Sequence, residues 1–229
     1  MRHLLLVLLL ALHFPGQSQM QTWLGVSCSF KPIKKTEISI GLQQRYFDFT
    51  AYNKSLLSAE LAVKVIKGIK PFIGFRMGMF PNSNSDLNQK KWGFSQRYIA
   101  GLDFSFVDWF DEKSRLNIGY TIQNQWNTTS FKRNSSVLRN KLGIKYDIKN
   151  FPLSPFVNAE HYYNWKRDIT YTIDEVLITG GTSAFRYFIG FDIELPKAQI
   201  IQISLGKKNL FLNNNDYWIG SIKYKLQIN

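Results

Sequence analysis

Cysteine is almost missing: one residue, Cys28, in a chain of 229. A lone thiol excludes a disulfide framework and any cysteine-based zinc or iron–sulfur site. Histidine is nearly as scarce. Of three, His3 and His13 fall within residues 1–18, so only His161 serves the remainder. That rules out a multi-histidine metal site, and neither metal nor cofactor is expected. Acidic residues are few, 16 against 29 Lys and Arg, for a formal net charge of +13. The lysines are scattered along the chain (Lys31, Lys67, Lys113, Lys149, Lys197). A solvated rim touching anionic headgroups accounts for that spread better than a nucleic-acid patch does.

Long hydrophobic runs are also absent beyond the N-terminus. The one unbroken apolar stretch, 4–14, follows Arg2 and His3 and ends at Pro15-Gly16, with Gly16 and Ser18 before Gln19. This is the grammar of a secretory signal cleaved after residue 18, and the run is too short to span a bilayer. The expected division is therefore a signal peptide at 1–18 and one domain at 19–229. No later segment approaches the ~18 apolar residues of a membrane helix, and none shows a helical period. An exported chain without a helical anchor is either soluble or a membrane barrel.

Period-two alternation is what the chain does have, and it marks half-buried strands. Ile73, Phe75, Met77 and Met79 oppose Gly74, Arg76 and Gly78. Tyr98, Ala100, Leu102 and Phe104 oppose Arg97, Gly101, Asp103 and Ser105. Leu138, Leu142, Ile144 and Tyr146 face away from Arg139, Lys141, Gly143 and Lys145. Tyr187, Ile189, Phe191 and Ile193 oppose Arg186, Gly190, Asp192 and Glu194.

Three features put the apolar face in lipid. The runs reach the ~9–11 residues of a tilted bilayer crossing. Aromatics collect near strand ends, at Trp92, Trp109, Trp126, Tyr163, Trp165 and Trp218, as an interfacial girdle requires. Short connections (31–35, 67–70, 149–154, 196–198) trade places with longer polar ones (81–91, 127–136, 166–182, 209–216), as periplasmic turns do with outer loops. The expected fold is an all-β transmembrane antiparallel barrel of about 10–12 strands. Bacterial single-chain barrels normally have an even count, so ten or twelve is favoured, with 23–30 left as an appendage or incomplete strand. A soluble lipocalin-like binding protein is the alternative architecture.

Several local patterns are similar to a family of small uncharacterised bacterial outer-membrane barrels grouped by a domain of unknown function. They are the Gln21-Thr22-Trp23 start, Arg139 ahead of an alternating run, Pro155-Phe156 leading to Glu160, and Arg186 followed by Gly190. The resemblance runs through nearly the whole mature chain. It implies one small barrel in a Gram-negative outer membrane and implies no activity.

The polar face carries the candidate functional residues. It bears Arg45, Arg76, Arg97, Arg139 and Arg186 with Glu60, Asp103, Asp147, Glu160 and Asp192. Such a face lines either a narrow anion-favouring pore or a lumen filled by Arg–carboxylate pairs. The leading expectation is a non-enzymatic pore or structural barrel without catalytic residues. Its expected partners are outer-membrane lipid, the barrel-assembly machinery and small anionic solutes, and not nucleic acid. The alternative is an outer-membrane lipid-modifying hydrolase using His161. That histidine adjoins Glu160, but neighbouring strand residues point to opposite faces, and Tyr163 rather than a serine stands two positions along. Gly180-Gly181 reads as a turn.

Overall fold

The alternating runs become strands whose two faces meet two different solvents. The computed structural model describes residues 19–47, 51–82, 91–106, 115–129, 132–171, 176–211 and 216–228. Residues 1–18, the expected signal peptide, and Trp109 lie outside these. Eleven strands follow in order: β1 (Gln19–Ile33), β2 (Thr36–Phe47), β3 (Ala51–Val63), β4 (Ile69–Asn82), β5 (Lys91–Ser105), β6 (Leu116–Thr129), β7 (Lys132–Tyr146), β8 (Leu153–Tyr171), β9 (Val176–Leu195), β10 (Gln199–Leu210) and β11 (Tyr217–Ile228). They form one closed barrel in which each strand pairs with its neighbours in the chain. Closure abolishes free edges, as a wall in lipid requires.

The eleventh strand corrects the even count. The segment 23–30 belongs to a full 15-residue wall strand, β1, antiparallel to β2 and parallel to β11. An odd total makes the first and last strands run the same way, so the ring closes through pairs such as Trp23↔Ser221 and Cys28↔Leu226. The alternation of β1 is faint in sequence because its inward positions include the small Gly25, Ser27 and Ser29. Its outward Leu24 and Val26 are exposed.

The apolar face points out. Ile73, Met77, Leu102, Ile144, Val157, Ile189 and Ile222 are all exposed on the barrel wall. Inside lie Gln21, Trp23, Gln123, Gln125, Glu160, Asp192 and Ser221, all buried. A soluble barrel needs the reverse arrangement, so this is the architecture of a membrane barrel. We call the end where β2, β4, β6, β8 and β10 finish the upper end. Trp92, Trp126, Tyr163 and Trp165 stand exposed around it, and Trp218 lies at the start of β11 at the same end.

Two connections differ from expectation. Segment 127–136 is largely strand, with Thr129 paired to Lys132. Segment 166–182 is mostly the tip of the long β8–β9 hairpin, whose 19- and 20-residue strands remain paired up to Tyr171↔Val176. Gly180 and Gly181 lie within β9 rather than in a turn. Polar composition and glycine suggested loop, but cross-strand hydrogen bonds satisfy the backbone at these positions equally well.

Candidate functional site

The inward face sorts its charges by height. Near the upper end Arg45, Arg76, Arg97, Arg139 and Arg186 line one cavity of about 510 Å³, and Glu160 is the carboxylate among its lining residues. Glu160 is already engaged: it receives hydrogen bonds from the Arg139 guanidinium and from Tyr162 Oη at 2.7 Å, and its Oε2 lies 3.2 Å from Arg186 Nη1. Trp23, 4% exposed, forms a floor for two of the cations, with Arg45 Cζ 4.1 Å and Arg186 Cζ 5.0 Å from its ring centre. Cation–π contact of this kind holds a guanidinium without neutralising it.

The remaining carboxylates sit lower. Asp192 is 3.7 Å from Lys145 and 3.9 Å from Lys225, and Asp147 is 3.3 Å from Lys145. Asp103 accepts a 2.6 Å bond from Thr121 and borders a second cavity of about 440 Å³ with Lys70. Glu60, opposite Ser39, lies towards the same end. On the β3–β5 wall, buried Ala62, Phe72 and Ile99 pack together. The polar face is therefore mixed in sequence but divided in space. Two unit charges about 8 Å apart repel by about 2 kcal/mol at an effective dielectric constant of ~20. Several unneutralised pairs would consume much of a folded protein's ~5–15 kcal/mol.

The outward face holds a different group. His161 points to the lipid side of β8, where its ring stacks on Phe185 at 4.8 Å. Its Nε2 is 3.2 Å from Thr182 Oγ1. By simple alternation Thr182 would share the inward face of Ala184 and Arg186. A bulge in β9 changes that: Tyr162 pairs with Ala184 but Tyr163 pairs with Thr182, leaving Ser183 as the extra residue. Ser183 turns into the lumen and bonds the Tyr162 carbonyl at 3.3 Å. Gly181, at φ +82°, supplies the left-handed backbone next to the bulge.

Across β7, Asn140 is paired with His161, and its Oδ1 accepts a 2.8 Å bond from the Tyr120 hydroxyl. Asn140 Nδ2 thereby remains as a donor on the lipid side. Nearby, Ser136 Oγ donates to Asn124 Oδ1 at 3.1 Å. Polar side chains on a lipid-facing wall are costly and mark function by default. Tyr163 lies two residues above His161, about 6–7 Å along the strand. That places the imidazole just beneath the aromatic belt, at the boundary of headgroups and acyl chains.

Glu160, on the opposite face, is bound up in the lumen, so the chain does not assemble a serine–histidine–carboxylate set here. Sequence reading missed Thr182, Asn140 and Tyr120. Thr182 fell in an expected loop and had the wrong parity, and Asn140 was an unremarked position in an apolar run.

These features define an outer-membrane-type β-barrel with a polar station on its lipid-facing wall. No family model matches the chain, and no curated protein does. Among solved structures it is similar to LpxR from Salmonella typhimurium, at a TM-score of 0.50 and 11% identity, with 84% of this chain and 83% of that one covered. LpxR is an outer-membrane lipid A deacylase. The likeness supports an outer-membrane barrel fold, but not the more particular family of unknown function. It also overturns the expectation of a non-enzymatic pore or scaffold without catalytic residues: the barrel architecture shared here carries an enzyme, and the lipid-modifying alternative is the reading it favours.

Proposed function

We propose that this protein is a lipid-modifying hydrolase of a Gram-negative outer membrane, acting on an acyl ester of an outer-leaflet lipid from its lipid-facing wall. One observation carries the reading: the bulge-positioned Thr182 hydroxyl 3.2 Å from His161 Nε2, beneath the belt of Tyr163 and Trp165. The likeness to a lipid A deacylase supports it.

In the proposed reaction His161 Nε2 takes the Thr182 proton as Oγ1 bonds to the ester carbonyl carbon. Asn140 Nδ2 donates to the developing oxyanion. The ester C–O bond then breaks, and the imidazolium returns the proton to the departing lipid alkoxide. Water, deprotonated by the same imidazole, releases the fatty acid and restores Thr182. The lipid is thus both solvent and substrate, and diffuses to the site in the plane of the membrane. The barrel-assembly machinery remains an expected partner in reaching that membrane.

The test is mass spectrometry of lipid A and phospholipids after incubation with the purified, folded barrel. Loss of one acyl chain is the expected product. His161→Ala and Thr182→Val should each lower the rate by about 10²–10⁴-fold, whereas Thr182→Ser keeps a hydroxyl and should retain activity. No deacylated product from folded wild-type barrel would reject the assignment.

A further inference from the structure

The upper half of the lumen has more positive charge than the protein itself neutralises. Arg45, Arg76, Arg97, Arg139 and Arg186 line the 510 Å³ cavity, joined by Lys223. Its lining carboxylate, Glu160, is shared between Arg139 and Arg186. Arg45 turns Nε and Nη2 to the neutral Gln43 side chain, at 3.1 and 2.9 Å. Arg97 donates Nε to the Asn127 amide oxygen. Arg76 and Lys223 make no hydrogen bond or ion pair with another described residue. Nε of Arg139 and Nε of Arg186 are buried without an acceptor. Arginines 45, 76 and 97 also border an adjoining 250 Å³ space with Lys54, so the basic region is continuous.

From this arrangement we infer that the upper lumen is a binding chamber for a multiply charged phosphate-bearing anion. Guanidinium forks match phosphate oxygens two at a time, and several converge here on one cavity. A single univalent ion would leave most of the charge unanswered. A diphosphate spans more of the forks and offers more acceptors. Trp23 and Gln43 hold Arg45 from behind and keep its guanidinium on the chamber wall. This is a binding site inside the barrel, independent of the His161 pair on its outer wall.

The phosphate could arrive on a free solute or on a lipid headgroup, and the experiment separates the two. Folded wild-type barrel in uncharged detergent is titrated calorimetrically with inorganic pyrophosphate, with chloride at matched ionic strength as control. A parallel arm uses ³¹P NMR on the same micelles doped with phosphatidic acid. Saturable binding in either arm supports the chamber, and the arm that responds identifies the source. The double variant Arg76→Gln/Arg97→Gln should weaken pyrophosphate at least tenfold. Lys223→Gln, which removes one cation alone, should weaken it several-fold and guards against misfolding of the double variant. Asp147→Asn, beside Lys145 and away from the chamber lining, should leave binding unchanged. Folded wild type that binds in neither arm overturns the inference, as does binding that Arg76→Gln/Arg97→Gln and Lys223→Gln leave unaltered.

Discussion

Glu160 and His161 are neighbours in sequence with opposite environments, because adjacent strand residues point to opposite faces. Glu160 is 5% exposed and holds Arg139 and Arg186 on the lumen side. His161 rests on Phe185 in the outer wall. Glu160→Gln would leave two guanidinium groups facing one neutral amide. Removing one partner of a buried ionic network costs roughly 3–5 kcal/mol, so the urea midpoint of the vesicle-embedded variant should fall clearly below wild type. An unchanged midpoint would show that the carboxylate is not what holds these arginines. The position is also diagnostic of face: Glu160→Gln should alter stability far more than the deacylation chemistry of the folded fraction, and His161→Ala should do the opposite.

At the scale of the element, β9 decides the outer-wall site. Its bulge at Ser183 lets Ala184 and Ser183 both face inward and turns Thr182 outward. Deleting Ser183 would remove the bulge yet keep Thr182 outward beside Tyr163, because Thr182 would then directly adjoin the inward Ala184. The expected result is a barrel that still migrates as folded and retains hydrolysis, whereas loss of activity in that folded barrel would show that outward parity alone does not place Thr182 against His161. The β4–β6 wall offers a packing test. A side chain at Gly101 would place Cβ 2.6 Å from the Ile122 carbonyl oxygen and 2.7 Å from the Phe72 ring. Overpacking of this kind typically costs ~1–3 kcal/mol. Gly101→Val should therefore lower the thermal midpoint, measured by the temperature at which the folded gel band disappears.

For the whole molecule the testable feature is the parallel seam between β1 and β11. Cys28 and Leu226 are paired across it, and neighbouring strands lie about 4.8 Å apart, within disulfide reach. Leu226→Cys should form an intramolecular disulfide with Cys28 under mild oxidation. The product would run as a reductant-sensitive band even after boiling. Failure to cross-link in a folded barrel would argue for a ring closed without β1. Wild type itself should migrate faster unboiled than boiled on an SDS gel, since a closed hydrogen-bonded wall resists detergent.

Much of the architecture was legible because lipid imposes a local rule. Outward wall residues are mostly apolar, so runs such as Leu142–Ile144–Tyr146 announce strand, face and solvent within a few positions. The inward arginines were legible for the same reason. The strand number was not, because β1 hides its alternation behind small inward residues and joins the ring only through a partner at the far end of the chain. The outer-wall site was not legible either: Thr182 meets His161 through a bulge that inverts parity, and Asn140 through a neighbouring strand. The lumen charge looked mixed along the chain, yet it separates by height once all strands share one register. Local alternation sets faces and crossings by short-range chemistry. Ring closure, register and bulges arise from pairings between distant segments, and those pairings choose which side chains meet.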